Sequence, residues 1–67
     1  MQLFTVLTPV DTDTIGKFKY YFCIYDLDQQ VNGRNSKQNR LYISSLYENY
    51  GSCRNAAAAK RDELHSQ

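Results

Sequence analysis

Sixty-seven residues make one small domain, because a chain of this length buries only about 60% of its unfolded surface and has no room for a second core. A hydrophobic share of 42% with 22% charged residues is the balance of an ordinary folded chain and excludes a disordered or collagen-like one. Eight Lys plus Arg against seven Asp plus Glu leave a net charge of +1, so bulk charge argues neither for nucleic acid nor for an anionic membrane.

From Gln2 to Val10 the run QLFTVLTPV is rich in β-branched and large apolar residues and is closed by Pro9 and the polar stretch DTDT, which predicts a strand over about residues 2–9. Gly16 punctuates the turn that follows. The run KFKYYFCIYDL, residues 17–27, alternates at period two, with Phe18, Tyr20, Phe22 and Ile24 on one side and Lys17, Lys19, Tyr21, Cys23 and Tyr25 on the other. That is the pattern of a half-buried strand, and the short connection makes an antiparallel hairpin the economical pairing.

Residues 29–39, QQVNGRNSKQN, hold almost nothing apolar and contain Asn32-Gly33, a dipeptide that tolerates positive φ; a mobile loop is expected. Charge is sorted along the chain, with six bases and one acid between residues 29 and 61, so this loop lies in the basic part. A third strand, RLYISSL over residues 40–46, sets Leu41 and Ile43 on one face and Arg40, Tyr42 and Ser44 on the other.

The Ala56–Ala59 block has the strongest intrinsic helix preference available, and Ser52 suits the capping position. A helix over about residues 52–65 follows, with Cys53, Ala56 or Ala57, the stem of Lys60 and Leu64 as its inward stripe. Ser45 with Glu48 offers an earlier capping box, continued by Leu46, Tyr50, Cys53 and Ala57, but it would put Gly51 inside the helix at a cost of about 1 kcal/mol. The later start is preferred. The fold class is therefore α+β: a three-stranded antiparallel sheet with one C-terminal helix packed on one face.

The segment ISSLYENYGSCRN, with the upstream strand KYYFCIY and the opening LFTV, resembles the YegP-like family of small bacterial domains of unknown function. Ser44, Leu46, Tyr47, Ser52, Cys53 and Asn55 fall at the corresponding places. The loop from Asp28 to Asn39 is longer than the family's turn, and an Ala block stands where the family has a Gly-Ile pair. The resemblance implies three antiparallel strands and a helix, and, because such domains occur as tandem repeats or paired subunits, a homodimer. It implies no catalytic residues.

Motifs for chemistry are weak. Asp11, Asp13 and Gly16 open like a calcium loop, but Ile15 and Phe22 occupy places that need oxygen ligands, and a second start at Asp28 leaves only one carboxylate. Cys23 and Cys53 form no Cys-x-x-Cys pair, and His65 is the sole histidine, so a zinc site is not expected. A free, reduced pair of thiols is expected in a cytoplasmic protein, with Cys23 partly exposed and Cys53 under the helix. Ser44, Ser45 and Ser52 have no histidine near them except in the frayed tail, so neither an enzyme nor a cofactor is predicted. The sequence Lys60-Arg-Asp-Glu-Leu64 is a charged helix end. No run reaches the roughly 18 apolar residues of a membrane span, and the N-terminus lacks the charged flank and cleavage site of a signal peptide, so a cytoplasmic location is expected.

Six tyrosines and no tryptophan mean that several rings lie near the surface, where tyrosine suits interfaces. With Phe4, Val6, Phe18, Tyr20, Phe22, Ile24, Leu41 and Ile43 packed beneath the helix, the opposite sheet face would present Lys17, Lys19, Tyr21, Tyr25, Arg40 and Tyr42. These residues, with Arg34 and Lys37 of the loop, are the candidate partner-binding set. The expected function is a small interaction module, of the kind bacteria or their phages use as accessory or inhibitory proteins, docking a protein partner on this face. The alternative is a nucleic-acid binder that stacks bases on the rings and meets phosphate with the cations.

Overall fold

The computed structural model describes residues 1–66. Three strands, β1 (Leu3–Asp11), β2 (Phe18–Asp26) and β3 (Arg40–Ile43), form an antiparallel sheet in the order β1-β2-β3, and one helix, α1 (Tyr50–His65), packs on one face. The α+β class read from the sequence is the one observed. Among the described residues no helix is long and apolar enough to cross a membrane.

β1 and β2 pair without interruption from Leu3↔Asp26 to Asp11↔Phe18. Thr12 closes the turn between them: its hydroxyl donates to the Lys17 carbonyl at 3.0 Å and accepts from the Thr14 N–H at 3.2 Å. Gly16, at φ 81°, supplies the left-handed backbone that a residue with a Cβ rarely adopts. DTDT is a polar turn.

The core lies between β2 and the helix. Phe22, Ile24, Cys53 and Ala57 are buried, and Leu3, Leu7, Tyr20, Tyr42, Tyr47, Ala56 and Leu64 pack against them. The helix presents the stripe that its spacing predicts, and small side chains at Cys53, Ala56 and Ala57 let it approach the large ones of β2. It starts at Tyr50, two residues before the expected position, because Asn49 is the cap: extended at φ −141°, it accepts the Ser52 N–H on Oδ1 at 2.8 Å. Ser52 is thus the capped residue, and Glu48 turns aside to pair with Lys19 at 3.4 Å.

Two strands present the faces opposite to those expected. Thr5 lies opposite Ile24 and Leu7 opposite Phe22, so Leu3, Thr5, Leu7 and Pro9 face the helix, while Phe4 and Val6 face away from it. On β3, Tyr42 lies opposite Ile24 and Ile43 opposite Cys23, so Tyr42 faces inward, and Leu41 and Ile43 face outward. A bulge then sets both Arg40 and Leu41 against Tyr25. A slip of one residue exchanges the two faces of a strand, and this bulge is why Arg40 and Tyr42, two residues apart, point to opposite sides.

Strand β3 ends at Ile43, earlier than the sequence suggests, yet its path continues along β2. Ser44 donates its N–H to the Phe22 carbonyl and accepts the Phe22 N–H on Oγ, both at 2.9 Å, and Tyr47 exchanges two backbone hydrogen bonds with Tyr20 at 2.7 and 2.9 Å. The loop expected to be mobile carries its own structure. Val31 and Arg34 close a tight turn across Asn32 (φ 54°) and Gly33 (φ 70°). Asn39, only 2% exposed, holds the rest: Nδ2 donates to the Asp26 carbonyl and to Asn35 Oδ1, and Oδ1 accepts the Ser36 N–H.

Candidate interaction surface

Side chains alternate across a strand, so the face away from the helix follows from the register. Phe4, Tyr25 and the Arg40-Leu41 bulge form one row; Val6, Cys23 and Ile43 form the next; Thr8 and Tyr21 form a third. Three of its apolar side chains stand well out of the surface: Phe4 is 47%, Leu41 42% and Ile43 49% exposed. Cys23 lies on the same face but is buried, because Val6 and Ile43 flank it across the sheet and Tyr21 and Tyr25 along the strand. The thiol expected to be partly exposed is therefore roofed by its neighbours.

Burial pushes the Tyr25 phenol above its ordinary value, the Cys23 thiol beside it adds to that effect, and the Arg40 guanidinium acts the other way. Tyr25 is therefore a neutral hydrogen-bonding group at neutral pH. Burial likewise pushes the Cys53 thiol up, as suits a core residue under a helix.

The sequence-derived set is divided by this arrangement. Tyr21, Tyr25 and Arg40 share the outward face. Lys19 points the same way, but its ammonium is engaged by Glu48; Lys17 ends the β1–β2 turn and lines an open cleft with Lys19 and Glu48. Arg34 and Lys37 come together on a separate cleft of the 31–38 loop, and no ion pair forms at either among the described residues. Tyr42 does not belong to the outward face. It lies against Phe22, with ring centroids 5.6 Å apart, and beneath the Lys60 ammonium at 4.5 Å from the ring centre, so it is half-buried in the core.

Phe4, Leu41 and Ile43 are exposed and Val6 is half-buried on the outer face, and Phe18, at the turn end of β2, is 44% exposed, whereas their spacing places all five in the core. In β1 both parities are apolar, Leu3 and Leu7 on one and Phe4, Val6 and Val10 on the other, so periodicity carries no signal for choosing between them. The outer face is accordingly more apolar and less basic than expected. Among the described residues, no group of three or more His, Cys, Asp or Glu side chains gathers into a metal site, and the Ser44 hydroxyl is taken up by the Phe22 N–H and the Ser45 carbonyl. The chain matches no family model, no curated protein and no solved structure, so a functional reading has to stand on the geometry of this face.

Proposed function

We propose that this protein is a small binding module without catalytic chemistry, which takes a protein partner on the uncovered face of its sheet. The observation that carries the reading is the apolar patch of Phe4, Leu41 and Ile43 around the roofed Cys23. Contiguous apolar surface rimmed by polar groups is the usual signature of a protein interface. Tyr21, Tyr25 and Arg40 at its margin are residue types that anchor such interfaces. The small size suits the accessory or inhibitory proteins of bacteria and their phages, and a cytoplasmic setting would keep both thiols reduced.

Nucleic acid is the second reading, and Arg34 and Lys37 on one cleft favour it. It needs rings interleaved with free cations on the sheet, and there Tyr42 has turned inward and Lys19 is paired. Capture of partners from a source-organism lysate, with and without nuclease, separates the two. A defined protein should be retained after nuclease by the native chain and lost with Leu41→Asp plus Ile43→Asp; material that disappears on nuclease treatment would establish nucleic acid instead.

A further inference from the structure

β3 is an edge strand of the sheet. The Ser44 N–H donates to the Phe22 carbonyl and Tyr42 lies opposite Ile24, so along this extended stretch the Leu41 carbonyl and both the N–H and the carbonyl of Ile43 point the other way, out of the sheet. An edge of this kind is a template for another strand. Arg40 and the bulge guard its start, whereas Leu41 and Ile43 carry no charge and are exposed. The outward backbone groups and the apolar patch thus belong to the same two residues. Charge then separates this edge from the one on β1. Residues 1–28, which include β1, carry four acids and two bases. Residues 29–49 carry Arg34, Lys37 and Arg40 against Glu48 alone, and Glu48 is engaged by Lys19. Among the described residues no ion pair forms at any of these three cations. They lie in the loop that leads into β3 and at its first residue, so positive charge gathers at the start of the strand.

We propose that β3 takes an extended segment of the protein partner as a fourth strand, antiparallel to it, with apolar residues at alternate positions followed by acidic ones. This rests on the binding reading above and names how the partner is held. In strand addition the main chain supplies hydrogen bonds and alternate side chains supply selectivity. A partner residue opposite Ile43 exchanges two hydrogen bonds with it, and the residue two further on donates to the Leu41 carbonyl. Both of those partner side chains fall on the outer face, beside Ile43 and Leu41, and extend the apolar patch. An antiparallel segment then runs on towards the start of β3, which brings its next residues to Arg40 and to the loop that carries Arg34 and Lys37. Acids there meet these cations. Such charges fix direction and register more than they add affinity, so the apolar contacts still carry the binding. A basic segment would be repelled at the same place.

Selection from a displayed library of random peptides on the intact protein tests this without presuming a sequence. Enriched peptides should alternate apolar residues and close with Asp or Glu. A synthetic peptide of the most enriched sequence, at saturation, should slow amide exchange of Ile43 about 100-fold relative to the free chain, read by NMR. N-methylation at one set of alternate peptide residues should abolish its binding, and at the other set should leave it. Enrichment of basic or helix-patterned peptides, no enrichment at all, or binders that leave Ile43 exchange as fast as in the free chain would overturn the proposal. So would an Ile43 amide already protected without peptide, the mark of a second copy on this edge. A partner lost with Leu41→Asp plus Ile43→Asp, but under which Ile43 still exchanges fast, would remove the added strand and leave the binding reading standing.

Discussion

Arg40 and Tyr42 are two residues apart on one strand, yet Arg40 stands beside Tyr25 on the open face while Tyr42 lies under Lys60 on the covered one. The bulge between them separates a ring that holds the fold from a cation that borders the proposed interface.

Tyr42→Ala should therefore destabilise the fold by about 2 kcal/mol, less than a fully buried aromatic because Tyr42 keeps part of its surface. Tyr21→Ala, at a half-buried position that helps to cover Cys23, should cost less, about 1 kcal/mol, and weaken partner binding by more than about 1 kcal/mol. Urea unfolding of the two variants beside a binding titration reads both effects, and a reversed assignment would return Tyr42 to the outer face.

Asn39 is the second place where one side chain decides much. Its amide makes three hydrogen bonds that join the loop to the end of β2, and removing it leaves the Ser36 N–H and the Asp26 carbonyl unpaired, so Asn39→Ala should cost about 2–3 kcal/mol. Asn39→Asp should cost a similar amount, because a carboxylate accepts from Ser36 but has no N–H for Asp26 or Asn35. Midpoints of urea denaturation check this; an aspartate variant as stable as the native chain would contradict the assigned amide orientation.

Capping offers a paired control. Asn49→Ala should cost about 1 kcal/mol and Ser52→Ala only a few tenths, since the cap is Asn49 Oδ1 and Ser52 contributes its backbone N–H. If Ser52→Ala were the costlier of the two, the helix would start where its sequence first suggests.

The Cys53 thiol sets a direction for pH. Its folded value is raised above the ordinary 9.0 by burial, so above about pH 9 the unfolded chain gives up this proton while the folded one keeps it. The folded state then binds more protons, and stability falls as pH rises through that range, being fully present below it. Urea midpoints between pH 7 and 10.5 should decline more steeply for the native chain than for Cys53→Ala. Parallel declines would show that Cys53 ionises as easily folded as unfolded.

The parts of the fold that were legible in the sequence rest on strong local patterns. The period-two alternation of Phe18 to Tyr25 marks β2 and the buried side of Phe22 and Ile24, though Phe18 at its start is exposed and Cys23 on the other parity is buried, and the alanine block marks the helix and its stripe. The faces of β1 and β3 were not legible. β1 is apolar on both sides, so its register is set only by which residues reach the helix. In β3 the inward turn of Tyr42 depends on a bulge that Asn39 helps to position from a loop with no apolar residue but Val31. Serine and asparagine are near-equal caps, which is why the helix start moved from Ser52 to Tyr50. Of the proposed site, the tyrosines of β2 and Arg40 were found from alternation, whereas Phe4, Leu41 and Ile43 were hidden because an exposed apolar side chain reads as core.

The affinity of the captured partner for Ile43→Asp against the native chain, at two salt concentrations, separates an apolar docking face from a charged one. A docking face made of apolar side chains predicts a loss of at least about tenfold, or 1.4 kcal/mol, that is the same at both salts. Unchanged affinity for Ile43→Asp, with binding that collapses as salt rises, would contradict it and move the interface to the Arg34 and Lys37 cleft.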